Sequence, residues 1–463
     1  MKTFPDDFVR RTKAYFQDEW NDFWEALSTE AAISIRYNTA KISPEPMSHL
    51  SAVHWEKNAF YLAQRPIFTL DPLFHAGAYY VQEASSMFVG NAFAQIRANL
   101  ATPYCKILDL CAAPGGKTTH LMDKMQAEDF LVSNEIIKTR ANILTENVLR
   151  WGNANALVTN NEVEDFGFLE SFFDCIVVDA PCSGEGLFRK EPEAIGQWSL
   201  ENVNICAARQ KHILKNTIPL LKSGGYLLYS TCTYSPEENE AQLEWLLAQY
   251  PFLKSVRLEM PEKSGIAEKT LTTNHQEAYS YHFYPHKLKG EGLFLTVLRN
   301  ESMLNSYNTE KKKYKNHKKA PAKIKQFPNG WLKEESQNNF SFFNINEQIH
   351  AIKHQQVEDF LYLQSHLYLK NAGLCVGQMK GKDFVPSQDL AWSTHISTQL
   401  PSLELNEQNA ILYLKKQDFD YTPLPKNTQN WCLIRYQSQT LGWVKHLPNR
   451  LNNYYPAQWR IRM

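Results

Sequence analysis

The sequence predicts an α/β fold with a Rossmann-like, doubly wound and mostly parallel sheet, between a small N-terminal module and a β-rich C-terminal region. Between residues 76 and 300, short apolar runs alternate with helical segments. Strands that are apolar at nearly every position and separated by helices are typical of parallel sheets covered on both faces. A lysine-rich run at 311–325 then ends this pattern, and an aromatic, turn-rich region follows it.

The pattern of apolar and charged residues in each segment predicts its secondary structure. Residues 4–29 place aromatic side chains among charges, which predicts one or two amphipathic helices, and 33–73 predict short strands. In the central region we predict strands at 106–111, 131–135, 156–160, 175–181 and 225–233, a closing strand at 292–300, and helices at 117–126, 138–150, 204–221 and 237–249. The predicted domains are 1–75, 76–300, a lysine-rich linker at 301–330, a small α+β module at 331–395 and a β-rich domain at 396–463.

Composition narrows the class of protein. Lys+Arg and Asp+Glu are both 49, so nucleic-acid binding through a general positive field is not expected. The eight cysteines contain no Cys-x-x-Cys pair, and we expect no metal site. The N-terminus has no signal-like apolar core, and no apolar stretch is long enough to span a bilayer. We therefore expect a cytoplasmic monomer with free thiols and no membrane association.

The segment DLCAAPGGKT at 109–118 follows a predicted strand and opens a helix. Its glycines allow close approach of a ligand, and the helix N-terminus offers free N–H groups. It also nearly matches the phosphate-binding pattern G-x-x-x-x-G-K-[ST], with Cys111 in the place of the first glycine. By itself this segment leaves a P-loop ATPase open. Glu135, about 20 residues further on, is placed to bind ribose hydroxyls and favours an adenosine ligand, although it could be a surface acid.

Two cysteines follow neighbouring strands of the predicted sheet. Cys182 lies in DAPCSGEG after the fourth strand, and Cys232 lies in STCTYSP after the fifth. Neighbouring parallel strands would bring both thiols to one edge of the sheet, beside the glycine turn. Free cysteine is usually a small buried hydrophobe, and we expect that fate for Cys111, Cys175 and Cys206. The flanking Pro, Ser, Thr and Gly indicate loops for Cys182 and Cys232.

These motifs resemble the Nol/Nop/Sun family of RNA cytosine-C5 methyltransferases. The matching segments are DLCAAPGGKT, VVDAPCSGEG, LKSGGYLLYSTCTYSPEENE, SIRYNT at 34–39 and AGAYYVQEASSM at 76–87. The C-terminal segment at 441–460 resembles the end of a PUA-like RNA-binding domain in the bacterial branch of this family that modifies 16S ribosomal RNA. The resemblance implies a class I methyltransferase fold, S-adenosyl-L-methionine as cofactor, and ribosomal RNA or the small ribosomal subunit as partner.

The family chemistry gives the thiols a purpose. Carbon 5 of cytosine is a poor nucleophile until a thiolate adds to carbon 6, after which it can accept a methyl group from a sulfonium donor. The resemblance makes Cys232 this nucleophile and Cys182 the residue needed for product release. Spacing alone does not decide between them, because a Pro-Cys motif is the nucleophile in DNA cytosine methyltransferases. Asp179 could donate a proton or hydrogen bond to nitrogen 3 if a desolvated pocket kept it protonated.

The resemblance also assigns the cofactor contacts. They map onto Cys111, Ala112, Ala113, Pro114, Gly115, Gly116, Lys117, Glu135 and Asp179. The family often has an acid after the third strand, near the adenine, where this chain has Asn160-Asn161-Glu162, and we place Asn161 there. Lys190 is a further candidate for substrate or active-site contacts, or else a solvated lysine.

Two other functions remain open at this stage. A P-loop ATPase acting on RNA would lack the first glycine and would leave Cys182 and Cys232 without roles. A ribosome-assembly factor without catalytic activity would not need both cysteine motifs. RNA contacts are expected from the N-terminal module, from tail aromatics such as Trp431, Trp443, Tyr454 and Tyr455 unless these are core residues, and from the lysine-rich segment unless it is a solvated linker.

Overall fold

The N-terminal helices pack their aromatic side chains against the rest of the protein. The computed structural model describes residues 3–43, 50–273, 276–302, 320–421, 430–447 and 450–463. Phe8 packs on Phe188 and Phe23 packs on Tyr234, with both helix residues fully buried. The amphipathic helices predicted for 4–29 are thus confirmed. The elements of this part are α1 (Asp6–Phe16), α2 (Trp20–Ser28), β1 (Ile33–Tyr37), β2 (Ser51–Val53), β3 (Glu56–Leu62), α3 (Pro72–His75) and β4 (Tyr79–Val81).

A four-stranded antiparallel sheet in the order β2-β3-β1-β4 follows the two helices. Its residue Arg36 is completely buried. The Arg36 guanidinium donates to the Gln82 side chain at 2.8 Å and to the Thr119 hydroxyl at 2.8 Å, and it pairs with Asp123. Because Thr119 and Asp123 lie on the helix that follows the glycine turn, this buried arginine fixes the N-terminal sheet to the central domain.

The central domain contains the predicted α/β sheet. Its elements are α4 (Phe88–Asn99), β5 (Lys106–Asp109), α5 (Gly116–Lys124), β6 (Phe130–Asn134), α6 (Lys138–Trp151), β7 (Ala156–Thr159), β8 (Phe173–Asp179), α7 (Pro192–Gln197), α8 (Leu200–Thr217), β9 (Leu221–Thr231), α9 (Glu240–Gln249), β10 (Leu253–Ser255), β11 (Ala267–Thr273), β12 (Gln276–Phe283) and β13 (Leu293–Asn300). Strands β7-β6-β5-β8-β9 are parallel, and apolar clusters cover both faces of the sheet. This confirms the doubly wound fold.

The flanks of this sheet are antiparallel. The full order is β11-β12-β13-β9-β8-β5-β6-β7-β17, where β17 (Leu369–Ala372) belongs to the C-terminal region and β10 lies beside β13. Strand β13 runs antiparallel to β9, and β17, from the C-terminal region, runs antiparallel to β7. The prediction of a mostly parallel sheet therefore holds for the five central strands. The outer strands are antiparallel, which corrects it there. Chain order reverses between β5 and β8, and in such sheets ligands bind in the crevice at the carboxyl ends of the strands on either side of that point.

The structure differs from the sequence-based prediction at one helix–strand boundary and in elements that were not predicted. The helix predicted at 204–221 ends at Thr217, and β9 begins at Leu221, ahead of Gly224 and Gly225. Pro219 lies between them and has no N–H to continue a helix. Helix α4 and the β11–β12 hairpin were not predicted.

The C-terminal region adds two further sheets, ordered β14-β15-β16-β18-β19 and β20-β21-β22-β23. Trp431, Trp443 and Tyr455 are buried core residues, whereas Tyr454 is 43% exposed. Residues 311–319 of the lysine-rich run lie outside the described residues. We find no helix with the length and apolar character to cross a bilayer in the described parts of the chain. The elements are β14 (Ala322–Ile324), α10 (Glu334–Asn338), β15 (Phe340–Ile345), β16 (Gln348–Lys353), α11 (Val357–Gln364), β17 (Leu369–Ala372), β18 (Leu374–Lys380), β19 (Asp383–Pro386), α12 (Gln388–Trp392), β20 (Ser402–Glu404), α13 (Glu407–Lys415), β21 (Trp431–Tyr436), β22 (Gln439–Leu447) and β23 (Arg450–Asn453).

Candidate active site

The glycine turn lies where the chain order of the sheet reverses. It connects the end of β5 to the start of α5, and Gly115 at the helix N-cap has φ +109°, which side-chain-bearing residues rarely adopt. Helix α6 holds the turn from outside, because Arg140 donates to the Ala113 carbonyl at 2.9 Å and Asn147 donates to the Pro114 carbonyl at 2.8 Å. Ala112 and Ala113 are buried, and Pro114 is exposed. The backbone of the turn is thereby fixed before any ligand binds.

A network of charged residues lies behind this turn. The Lys117 ammonium donates to one Asp179 oxygen at 2.7 Å, and the Ser230 hydroxyl donates to the other at 2.8 Å. Burial lowers the pKa of Lys117, but the neighbouring Asp179 carboxylate more than offsets this, and the pKa is raised overall. Lys117 and Ser230 thus occupy both oxygens of Asp179. The proton-donating role of Asp179 therefore stays a prediction, and it requires the substrate to displace Lys117.

Asp109 is a further candidate that sequence reasoning did not assign a role. It ends β5, is fully buried, and accepts a hydrogen bond from the Thr118 hydroxyl at 2.6 Å on one oxygen. Its other oxygen has no partner among the described residues. Burial raises the pKa of Asp109 to about 7. A buried, half-satisfied carboxyl at the crevice is positioned to accept a hydrogen bond from a ligand, and its place in the DLCAAPGGKT motif was the signal available in the sequence.

The two predicted adenosine-side residues have different surroundings. Glu135 is buried directly after β6, and one of its oxygens accepts from the Ile137 N–H at 2.9 Å. The Asn161 side chain is instead occupied by the backbone of Tyr368: its amide donates to the Tyr368 carbonyl at 3.1 Å, and its oxygen accepts from the Tyr368 N–H at 3.0 Å. Asn161 thus joins β7 to the segment before β17. Its backbone is also engaged, because its N–H donates to the Asn134 side chain at 3.0 Å and its carbonyl accepts from that side chain at 3.0 Å.

The two loop cysteines meet above the sheet. The sulfur atoms of Cys182 and Cys232 are 3.2 Å apart, and the Cys232 N–H donates to the Cys182 sulfur at 3.4 Å. The hydrogen bond with Cys232, together with burial, raises the pKa of the Cys182 thiol well above its ordinary value. Cys182 is therefore held as a thiol beside Cys232. Cys175 and Cys206 are buried, and Cys111 is partly exposed in the glycine turn.

Hydrogen bonds join the two cysteine loops directly. The Gly186 N–H donates to the Cys232 carbonyl at 2.8 Å, and the hydroxyls of Ser183 and Thr233 are 2.9 Å apart. A side chain at Gly186 would not fit, because its Cβ would lie 2.7 Å from the Cys232 carbonyl oxygen. The loops therefore approach each other as closely as backbone permits, which fixes the separation of the two sulfurs.

Two buried carboxylates also join the two cysteine loops, and the sequence pattern did not identify either of them. Glu238 accepts from the Ser183 N–H and from Gln210, each at 2.9 Å. Glu185 accepts from the Tyr234 N–H at 2.8 Å and from Trp198 at 2.9 Å. Each acid thus lies on one cysteine loop and binds the other.

Burial raises the pKa of both carboxyls, that of Glu238 to about 7. Lys190 contrasts with these buried groups. It is exposed, and its side chain makes no hydrogen bond to either cysteine among the described residues. The preceding residue, Arg189, has a buried side chain, and its Nε lies 3.8 Å from a carboxylate oxygen of Glu291.

Comparisons with known proteins agree with this geometry. Three family models match the chain: 16S rRNA methyltransferase RsmB/F over 101–299, the N-terminal domain of 16S rRNA methyltransferase RsmF over 4–84, and the methyltransferase RsmF PUA domain over 400–461. "Ribosomal RNA small subunit methyltransferase F" of Shewanella piezotolerans is 29% identical over 98% of this chain and 97% of its own, and that of Escherichia coli O9:H4 is 28% identical over 98% and 96%.

Solved structures show the same fold. A methyltransferase homolog protein from Pyrococcus horikoshii is 28% identical, with a TM-score of 0.52 over 62% of this chain and 93% of its own. NSun6 from Pyrococcus horikoshii with SFG has a TM-score of 0.52 over 65% of this chain and 99% of its own, and its 21% identity is evidence for the fold alone. The family models leave the P-loop ATPase without support. Along nearly its full length, the chain is similar to RsmF-type 16S ribosomal RNA methyltransferases.

Proposed function

We propose that this protein transfers a methyl group from S-adenosylmethionine to carbon 5 of cytosine in 16S ribosomal RNA through a Cys232 adduct. The observation that carries the proposal is the pair of sulfur atoms 3.2 Å apart at the cofactor crevice. Methylation of an exocyclic amine would need neither sulfur. The substrate class follows the printed function of the relatives. The cytoplasmic location and the monomeric state remain predictions from the sequence.

The residues around the glycine turn suit S-adenosylmethionine. The unpartnered oxygen of buried Asp109 can accept from the ammonium group of the cofactor, and Glu135 lies where ribose hydroxyls are expected. Free N–H groups at the start of α5 face the same crevice. SFG, present with one structural neighbour, is an analogue of this cofactor. When bound, the cofactor supplies an electrophilic methyl group.

The first covalent bond forms between the Cys232 sulfur and carbon 6 of the base. The Lys117 ammonium interacts electrostatically with Cys232. The rigid connection between the loops holds this sulfur in place, which reduces the entropic cost of attack. Electron density released to carbon 5 makes that atom nucleophilic toward the methyl group.

Release requires removal of the proton from carbon 5, and the paired thiols suggest how Cys182 becomes competent for it. The largest cause of the raised Cys182 pKa is its hydrogen bond with Cys232. Addition of the Cys232 sulfur to carbon 6 replaces the partner of that hydrogen bond by a thioether. Cys182 is partly exposed, so its own proton can pass to solvent, and the resulting thiolate accepts the proton from carbon 5. The double bond re-forms, and the Cys232 thiolate leaves.

Single-cysteine variants test this assignment. Cys232→Ala is expected to form no protein–RNA adduct and no 5-methylcytosine, whereas Cys182→Ala accumulates an adduct that persists on a denaturing gel. Cys206→Ala, a buried thiol on α8, serves as the matched control and should turn over normally. Bisulfite mapping of 16S RNA from cells that carry each variant locates the product. Normal turnover by Cys182→Ala would refute its role in release.

A thermal shift experiment separates this function from ATP chemistry. A ligand at 1,000 times its Kd stabilises the native state by roughly 4 kcal/mol. We expect S-adenosylmethionine to raise the melting temperature and ATP to leave it unchanged. An assembly factor without catalytic activity would bind the cofactor or the RNA but form no 5-methylcytosine in vitro.

A further inference from the structure

A cavity of about 630 Å³ lies between the N-terminal sheet and α6, outside the cysteine crevice. This volume is within the range of ligand-binding pockets in proteins. Its walls include the aromatic residues Phe68, Phe74, Tyr79, Tyr80 and Trp151, together with Arg65 and Arg150. Aromatic rings together with guanidinium groups suit a ligand that has both a flat ring and a negative charge.

We propose that this cavity binds an unpaired nucleotide of the substrate RNA that flanks the target cytosine. The inference rests on the proposed function for the identity of the RNA. Bases of single-stranded RNA stack on aromatic side chains, and arginine pairs with phosphate or stacks on the base. Both kinds of group are present here, which a purely apolar pocket or a purely basic surface would not provide.

The two arginines are suited to different parts of a nucleotide. Arg65 is exposed at the rim, with its guanidinium carbon 5.5 Å from the centre of the Phe68 ring, so it can reach a phosphate in solvent. Arg150 is 8% exposed, and its guanidinium carbon is 5.1 Å from the centre of the Phe74 ring. The Glu146 carboxylate pairs with one terminal nitrogen of Arg150, but the Nε of Arg150 has no partner among the described residues. A buried, unsatisfied N–H is costly and is satisfied by an acceptor on a ligand.

Direct contacts connect the cavity to the cofactor turn. Tyr80 lines the cavity and also packs on Gly116, where an added Cβ would lie 3.3 Å from its ring. Asn147 lines the same cavity and donates to the Pro114 carbonyl at 2.8 Å. Beyond Tyr80 the chain continues to Glu83, whose carboxylate accepts from the Glu291 N–H at 2.9 Å, next to the buried Tyr234 of the Cys232 loop. A strand of RNA with its target at the cysteines can therefore continue along β4 to this cavity.

The test compares Arg65→Glu and Phe68→Ala with Lys57→Glu in the full-length protein. Lys57 is an exposed lysine in the same module that does not line the cavity, so it controls for the charge change. The probe is a 16S RNA fragment that contains the methylated site. Both cavity variants are expected to raise the Kd for this RNA at least tenfold and to raise KM with little change in kcat, while the Kd for S-adenosylmethionine stays constant. Equal RNA affinity of Arg65→Glu and Lys57→Glu would overturn the inference.

Salt dependence and crosslinking give independent readouts. Loss of one phosphate contact to single-stranded RNA reduces the slope of log K against log salt by about 0.7, and Arg65→Ala should show this reduction. RNA with a photoreactive uridine beside the target should crosslink to a peptide within 65–81. Crosslinks elsewhere, or binding of free mononucleotide to the cavity without any effect on RNA affinity, would also overturn it.

Failure of the cavity and failure of the proposed function give different results. If the RNA crosslinks to the cavity and no methylated cytosine forms, the proposed function is wrong and the cavity assignment stands. If Arg65→Glu methylates RNA with an unchanged KM, the proposed function stands and the cavity assignment is wrong.

Discussion

Replacement of Gly186 by alanine should separate the two cysteine loops without unfolding the protein. The added Cβ would lie 2.7 Å from the Cys232 carbonyl oxygen and 3.4 Å from the Gly292 backbone. Both neighbours are backbone, so no side chain can rotate away, and the Cys232 loop itself has to move by several tenths of an ångström. The same substitution strains the hydrogen bond between the Gly186 N–H and the Cys232 carbonyl.

The size of the effect differs between stability and catalysis. Overpacking of this kind typically costs about 1–3 kcal/mol, and a strained hydrogen bond adds up to about 1 kcal/mol. This loss lowers the melting temperature by a few degrees in a chain of this length. Catalysis is more sensitive, because a displacement of about 1 Å at the reacting atoms can cost about 100-fold. We therefore expect Gly186→Ala to reduce the rate of adduct formation by ten- to 100-fold in a folded protein.

The measurement is a single-turnover assay with labelled cofactor, read on a denaturing gel for adduct and by scintillation for product. Gly196→Ala is the matched control, since an added Cβ there meets nothing within 4 Å and the residue lies within α7. That control should be as active as the unmodified protein and slightly more stable. If Gly186→Ala forms adduct at the control rate, the close approach of the loops does not position the sulfurs.

Three further predictions concern buried and charged groups. Arg36→Met leaves buried Asp123 without its cation and should lower the free energy of unfolding by about 3–5 kcal/mol in urea titrations; a loss below 1 kcal/mol would contradict this. The raised pKa of Glu238, about 7, means that the folded state binds this proton more tightly than the unfolded state, so stability falls as pH rises from about 4.5 to 7. Glu238→Gln should be more stable relative to the unmodified protein at pH 8 than at pH 5, and equal pH slopes would refute the assignment. Asp179→Asn removes the carboxylate partner of Lys117 and should reduce methyl transfer about 100-fold with a small change in melting temperature, whereas near-normal transfer would exclude Asp179 from the chemistry.

The meeting of the two sulfurs could be predicted because it follows from strand order and register. Asp179 pairs with Ser230 on the neighbouring strand, and the cysteines come three and two residues later. Parallel strands end at the same edge of a sheet, so local sequence and one topological rule were enough. Helix α4 had a comparable signal, since Phe88, Ala92 and Ile96 recur at helical spacing. That pattern was available and was missed.

Other parts depend on contacts that sequence patterns do not encode. Nothing in the local sequence distinguishes Arg36, Glu185 and Glu238 from charged residues of the surface. Charged residues are almost never fully buried unless they are paired, so their burial could not be predicted. Strand β17 joins the central sheet through β7, more than 200 residues earlier in the chain. Pairing at that separation has no local signature, and this is also why the contact of Asn161 with Tyr368 was not foreseen.

Glu185 and Glu238, the buried acids beside the cysteines, hold the two cysteine loops in position at a cost in stability. An apolar pair of similar size in place of Glu185 and Glu238 would avoid the desolvation that raises the pKa of both carboxyls. It could not, however, accept the N–H groups of Ser183 and Tyr234, which would then be buried without partners. Since each acid lies on one loop and binds the other, the separation of the two thiols depends on these bonds as well as on Gly186. Glu238 also contributes to the raised pKa of the Cys182 thiol, after the hydrogen bond with Cys232 and burial. The same carboxylate that positions the Cys182 loop therefore also favours the protonated form of Cys182, which must lose that proton before it can act as the base.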